Sequence, residues 1–289
     1  MWASLLGAEW CKIMGNRRAT FSMIGIFPAL AILATVVGLL MAGLSSSFRS
    51  ALQEDPALWT EAAILPWLVP NNPLGRALLL GFAAVLFAGE YQWNTWKSIV
   101  PRTRRLPLLL VKFVTVAAFV VLAFTLTSIL LTLGLGLVAW VAGAPFGPPL
   151  SSAVLCDFAE DYGLQVFYAF LSTMIAAGMV ALVAMLTRSI LASALVSIVI
   201  AIGETLLIVP LYLLAALLRT DGILHLYRVL PGYNLLNFFT WLAGETPEGL
   251  EMPSGELIVD GELFSAVVLV IWMIGLISLS AYLFNRQDI

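Results

Sequence analysis

The stretch Phe87–Lys112, FAGEYQWNTWKSIVPRTRRLPLLLVK, decides how this chain is threaded. It puts one carboxylate, Glu90, at the end of a short apolar run. A basic connection with Lys97, Arg102, Arg104 and Arg105 follows, and then a long apolar helix begins. Lys and Arg collect in short loops on the cytosolic face of a membrane. If the run before Glu90 crosses, this connection joins most of the other bases; if it does not, it falls among the acids.

The rest of the chain makes a membrane the right frame. Of the 289 residues, 61% are hydrophobic and 11% charged, with a mean hydropathy of +1.01. An ordinary soluble domain is about one quarter charged, and roughly 20 apolar residues cross a bilayer. Uncharged runs mark spans at Phe21–Gly43, Phe113–Ala144, Tyr162–Thr187 and Leu263–Asn285. Ser189–Leu218 is a fifth such run, interrupted only by Glu204. The second span in chain order is the weakest, because only Ala77–Gly89 separates Arg76 from Glu90. It crosses if both charged ends snorkel and Trp93 and Trp96 sit at the interface.

With that span counted, ten of the fourteen Lys and Arg share the N-terminal side: Lys12, Arg17, Arg18, Lys97, Arg102, Arg104, Arg105, Lys112, Arg188 and Arg286. Their acidic company is Glu9, Glu90 and Asp288. Thirteen acids and four bases fall on the other side, and Glu204 is left in the membrane. The fold expected is an all-α polytopic membrane protein over 1–289, with six transmembrane helices and both termini cytosolic. Its first apolar stretch is longer than the ~7–15 residues of a signal core, so it reads as a retained span. Cys11 and Cys156 fall on opposite sides, which leaves no disulfide framework.

Three segments carry further expectations. Over 1–19, Trp2, Leu6, Trp10 and Ile13/Met14 recur at helical spacing opposite Glu9, Lys12 and Asn16, an amphipathic helix for the cytosolic interface. Leu44–Pro73, with four prolines, reads as short helices and turns. Within the external segment 219–262, Val229–Gly244 is too short to cross and reads as a re-entrant or interfacial helix pair before the last span. The six acids from Glu245 to Glu262 read as a solvated loop.

No Gly-Lys dipeptide occurs, so there is no phosphate-binding P-loop. One histidine and two separated cysteines make a metal site an unsuitable reading, and no hydrolase motif is present. The chain is therefore not expected to be an enzyme or to bind a cofactor itself, and nucleic acid is not among its expected partners.

The order Glu90, Thr95, Pro101, Arg104 and Lys112 resembles the permease subunits of type-2 ABC transporters. Glu9, Lys12, Arg17 and Arg18 look like that family's amphipathic N-terminal helix. Thr187-Arg188-Ser189 resembles its turn between the fourth and fifth spans, and the ending Tyr282–Ile289 is similar to its basic-acidic finish. Asn94 stands where the family usually has Gly, and Gln287 replaces its second terminal base.

The resemblance implies an exporter subunit in a bacterial-type cytoplasmic membrane. It would pair with a second permease copy or paralogue, amid membrane lipid, above two separate P-loop ATPase subunits that hold ATP and Mg. The connection 94–106 would be the cytosolic coupling loop, with Thr95, Lys97, Pro101, Arg102, Arg104 and Arg105 meeting the ATPase. Glu90 would tie that loop to the N-terminal helix through Glu9, Lys12, Arg17 or Arg18. The plainer alternatives are that these bases only set topology and that Glu90 snorkels. Glu204, sixteenth of thirty residues in its run, sits near mid-membrane and becomes a candidate contact in the substrate path. Its plainer reading is a carboxyl satisfied by Ser197 or Thr205. Two other functions stay open: a non-transporting scaffold, and an intramembrane enzyme that uses Glu204.

Overall fold

Helices make up nearly all of the structure, a computed structural model that describes residues 2–93, 95–96 and 104–287, without the side chains of Ala19 and Thr205. Lys97, Pro101 and Arg102 lie outside the described residues, as do Asn94 and Asp288. Helix α1 (Trp2–Gly15) leads through one helical turn, Arg17–Thr20, and a π-helical turn, Phe21–Gly25, into α2 (Ile26–Leu44). Pro28 has no N–H for the Ile24 carbonyl, which places the irregular turn there. Helices α3 (Ser46–Glu54) and α4 (Trp59–Ile64) and a 3-10 stretch, Leu65–Asn71, form the proline-rich connection. This connection dips into the bundle: Trp67 is fully buried, and its indole donates to the Tyr162 hydroxyl at 2.9 Å.

Helix α5 (Pro73–Gln92) begins on a proline, and the Asn72 side chain accepts the Leu74 amide at 3.1 Å. It is the central helix, with nearly every residue from Leu79 to Glu90 buried. Helices α6 (Arg105–Ala142) and α7 (Ser152–Thr187) run 38 and 36 residues. Both exceed their uncharged runs, because the helices continue through Arg105–Lys112 and Asp157–Asp161. At 1.5 Å per residue they extend about 57 and 54 Å, well past a ~30 Å hydrocarbon core. Helix α2 lies against α6 at close range. A Cβ on Gly134 would overlap the Thr35 side chain, so a small residue is required there.

After α7 the chain reverses at once. Arg188 takes the left-handed conformation (φ 53°), and Ser189 Oγ accepts the Ala192 amide, starting α8 (Ile190–Leu206). The fifth apolar run then departs from the single helix expected of it. It breaks into α8 and α9 (Ile208–Leu218), bent by 52°. Pro210 explains the break, since it cannot donate to the Leu206 carbonyl and its ring crowds that group. Glu204 therefore sits at a bend, not midway along a straight rod.

Among the described residues five helical stretches are long and apolar enough to cross a membrane: Phe21–Leu44, α5, α6, α7 and α11 (Glu262–Arg286). The bent α8–α9 pair makes six if it counts as one span. By length and composition this is an all-α, multi-pass membrane protein. Both termini lie at one end of the bundle. Gln287 Nε2 donates to the Met185 carbonyl at 2.6 Å, while α1 reaches Glu90 and Lys112 at the same end.

Between α9 and α11 stand a helical turn at His225–Arg228, helix α10 (Pro231–Leu242), and a two-stranded antiparallel ribbon that the sequence did not suggest. In the ribbon β1 (Leu250–Glu251) pairs with β2 (Leu257–Ile258). The acidic run is exposed as expected, except at Asp260, which is buried. Arg228 Nε and Tyr233 OH donate to its carboxylate at 2.8 and 2.9 Å, and a second guanidinium nitrogen of Arg228 adds to them. The Asp260 carbonyl accepts from Asn237 Nδ2 and Trp241 Nε1, seating α10 against the start of α11.

Burial acts to raise the Asp260 carboxyl, but the bonds from Arg228 and Tyr233 outweigh it and hold the group below the usual carboxylate range. A carboxyl whose folded pKa is depressed lends stability above its unfolded pKa, about 3.9 for Asp, and loses it as pH falls through the folded value. Corrected for intrinsic rates, hydrogen exchange over 225–260 should stay slow from neutral pH down to about 5 and accelerate below about 4. Asp260→Asn should exchange faster at neutral pH and lack the acid step. A variant profile that matches the wild type would remove Asp260 as the clamp.

Candidate functional site: a buried ion cluster and a bent helix

Two places in the bundle collect the charges that an apolar interior should exclude. The first lies at the terminal end. Glu90, on the last turn of α5, is fully buried, so it does not snorkel. Lys112, on α6, is 1% exposed and puts its Nζ 2.7 Å from both carboxylate oxygens of Glu90. The same ammonium donates to the Leu86 carbonyl at 2.6 Å and lies 3.5 Å from Glu9. Lys12 also pairs with Glu90. Two acids and two bases from α1, α5 and α6 thus form one neutral cluster.

The charged edge of the amphipathic helix α1 turns inward: Glu9 and Lys12 point into the protein, where Glu90 and Lys112 need partners. Trp10 stacks on Phe119 of α6 with centroids 4.5 Å apart. Trp2 and Met14 remain about half exposed. Of the three bases proposed for Glu90, Lys12 makes the pair. Arg17 and Arg18 are exposed, and among the described residues neither is paired with Glu90.

The described parts of the connection after α5 are fixed at both ends. The Thr95 amide donates to the Glu90 carbonyl at 3.0 Å. Trp96 is 2% exposed rather than interfacial, and it packs 4.6 Å from Phe284 and 5.5 Å over the Lys112 ammonium. Trp93, by contrast, is 47% exposed. At the far end Arg105 caps α11, donating to the carbonyls of Phe284, Asn285 and Gln287 at 2.5, 3.0 and 2.8 Å. Its guanidinium is engaged within the chain and not presented to a partner, whereas Arg104 is exposed. Tyr91 completes the seam, donating to Gln287 Oε1 at 2.5 Å.

The second place surrounds Glu204 at the α8–α9 bend. Its Oε1 accepts the backbone N–H of Gly232 in the first turn of α10, a helix end that favours negative charge. A Cβ on Gly232 would lie 3.0 Å from that oxygen, so glycine makes room for the carboxylate. Arg76, in the first turn of α5, is the cation acting on Glu204, and Tyr227 also feels its charge. Arg76 Nε is buried without a hydrogen-bond partner, and among the described residues no direct ion pair joins Arg76 to Glu204. Ser197 is not the partner expected for Glu204: among the described residues its buried hydroxyl has no hydrogen-bond partner. The Thr205 side chain is outside the described residues.

Sequence reasoning used Lys112 only as a motif marker and Arg76 only as a span end. A lone lysine inside an apolar helix needs a buried partner, and Glu90 was the nearest acid in the sequence. That signal was available. The partnership of Gly232 with Glu204 had none. Among the described residues no cluster of three or more His, Cys, Asp or Glu could hold a metal. No family model, no curated protein and no solved structure matches the chain.

Removing one member of a buried pair leaves a naked charge and costs about 3–5 kcal/mol. Lys112→Met should lower the thermal midpoint in detergent sharply. Combining it with Glu90→Gln should be milder than the single change, because Lys12 and Glu9, 3.9 Å apart, still balance each other. Additive losses would mean that the four charges do not act as a unit.

Proposed function

We propose that this chain is the permease subunit of an ATP-driven ABC exporter, working with a second permease and two separate ATPase subunits. The observation that carries the reading is the double fixing of the connection between α5 and α6. Thr95 and Trp96 tie one end to the Glu90–Lys112 cluster, and Arg105 ties the other to the last helix. A partner pressing on a loop moves membrane helices only if the ends of that loop are rigid.

The exposed Arg104, with Lys97 and Arg102, would meet the acidic surface of the ATPase, and Arg105 would serve as the hinge-end anchor. Six traverses fit the chain path. Helix α8 starts where α7 ends, beside the termini, and α11 returns to that end, so the bent pair must span the distance between. Both termini would be cytosolic and the membrane a bacterial-type cytoplasmic one, with α1 at its inner surface and α10 in a re-entrant or interfacial position. Helix α5 carries Glu90 in its last turn and Arg76 in its first. A shift of that helix would change the field at Glu204, which would contact an amphipathic substrate.

Two experiments test this reading. Purification from the native membrane in mild detergent should retain a stoichiometric P-loop ATPase, and Arg102→Glu with Arg104→Glu should deplete it severalfold. A preparation that never contains an ATPase would point to a scaffold. Glu204→Gln should reduce substrate-stimulated ATP hydrolysis while the complex stays assembled. Normal transport by Glu204→Leu would remove the carboxylate from the path.

A further inference from the structure

The structure leaves a trough of about 690 Å³ on the side of the bundle where α1 turns into α2. It exists because the chain does not continue straight. The break at Asn16 and the π-helical turn Phe21–Gly25 splay α1 and α2 apart and expose the flank of α6 between them. Phe21, Ile24, Pro28, Phe119, Leu122 and Leu126 form its walls. From Phe119 to Leu126 the α6 wall is eight residues, about 10 Å of apolar surface along the helix axis.

Polar character is confined to one end, where Arg17 lines the mouth. Arg17 is exposed, and among the described residues it has no acid partner. Thr20, also at this end, spends its hydroxyl on the Ile13 and Asn16 carbonyls at 2.7 and 3.1 Å. The nearby acids Glu9 and Glu90 are committed to Lys12 and Lys112. The charge at this end is therefore basic, and Arg18, next in sequence, is also exposed.

We infer that this trough is a binding site for one anionic phospholipid. Its phosphodiester would lie on Arg17, and an acyl chain would run along α6 past Leu122. Charge complementarity selects this occupant. The walls belong to helices apolar enough to sit in a bilayer, where the acyl chains are, and the only unmatched charge at the mouth is positive. A guanidinium offers paired N–H donors that suit phosphate oxygens. A zwitterionic lipid would bring its own cation to the same place and be disfavoured. The site is independent of the exporter reading, because it uses no residue of the connection or of the Glu204 region.

The test is lipid retention. Protein reconstituted in vesicles of equal phosphatidylglycerol and phosphatidylcholine is extracted in mild detergent and analysed by native mass spectrometry. Wild type should keep one phosphatidylglycerol severalfold more often than phosphatidylcholine. Arg17→Gln should abolish that preference, Arg17→Lys should keep most of it, and Leu122→Trp, which fills the trough, should lower retention of the anionic lipid. Each variant is first checked for monodisperse elution, and Leu122→Trp alone decides should Arg17→Gln fail to fold. Equal retention of the two lipids by wild type, or unchanged retention in both Arg17→Gln and Leu122→Trp, overturns the site. A lipid-free dimer that Leu122→Trp dissociates would also overturn it, by giving the trough to a second copy of the chain.

Discussion

The pairing of Glu90 with Lys112 in the interior of the bundle constrains everything at the terminal end. Each of these ions, taken out of water, carries a desolvation penalty of several kcal/mol even after relaxation. One carboxylate and one ammonium at 2.7 Å offset much of that, but Glu90 and Lys112 each reach for more partners. Lys12 and Glu9 supply them, one opposite charge apiece. This is why α1 lies against α5 and α6 with its charged edge inward. Its tryptophans stay at the periphery because the inward edge is already taken.

The same end gathers the C-terminus by a different means. Arg105 needs no acid, because the last carbonyls of α11 point at it and a helix C-terminus carries partial negative charge. Phe284 closes against Trp96, and Gln287 bridges Tyr91 to the end of α7. The first end of the basic connection is thus held by the Thr95 amide and by Trp96 against the ion cluster, the second by Arg105 on backbone carbonyls, and Phe284 touches both.

How far the sequence revealed this follows the range of each interaction. The long apolar runs, the turn at Arg188–Ser189 and the proline-rich connection were legible, because local hydropathy and local caps fix them. The break in the fifth run was legible too, had Pro210 been weighed alongside Glu204. Trp96 was misplaced because a tryptophan beside a basic loop looks the same in sequence whether it faces lipid or a neighbouring helix. Asp260 was hidden among five exposed acids, and only its contact with Arg228, 32 residues earlier, separates it from them. The match of Gly232 to Glu204 joins a backbone amide to a side chain, and no residue type announces a donor of that kind.

The two charged places are linked by a single element. Arg76 and Glu90 lie fourteen residues apart on α5, about 21 Å along its axis, and the helix between them is almost entirely buried. A helix packed on all sides resists bending, so in the proposed exporter a force applied near Glu90 would reach Arg76 along α5. At that far end the charges are not locked together. Glu204 is held by one amide from α10, and among the described residues no direct ion pair joins it to Arg76. The terminal end is thus closed by redundant ionic bonds, and the opposite end is open to a small displacement that changes which groups oppose each other. In the proposed exporter, a bundle that is stiff at the connection and loosely paired at the α8–α9 bend would have the asymmetry that a transmitted motion requires.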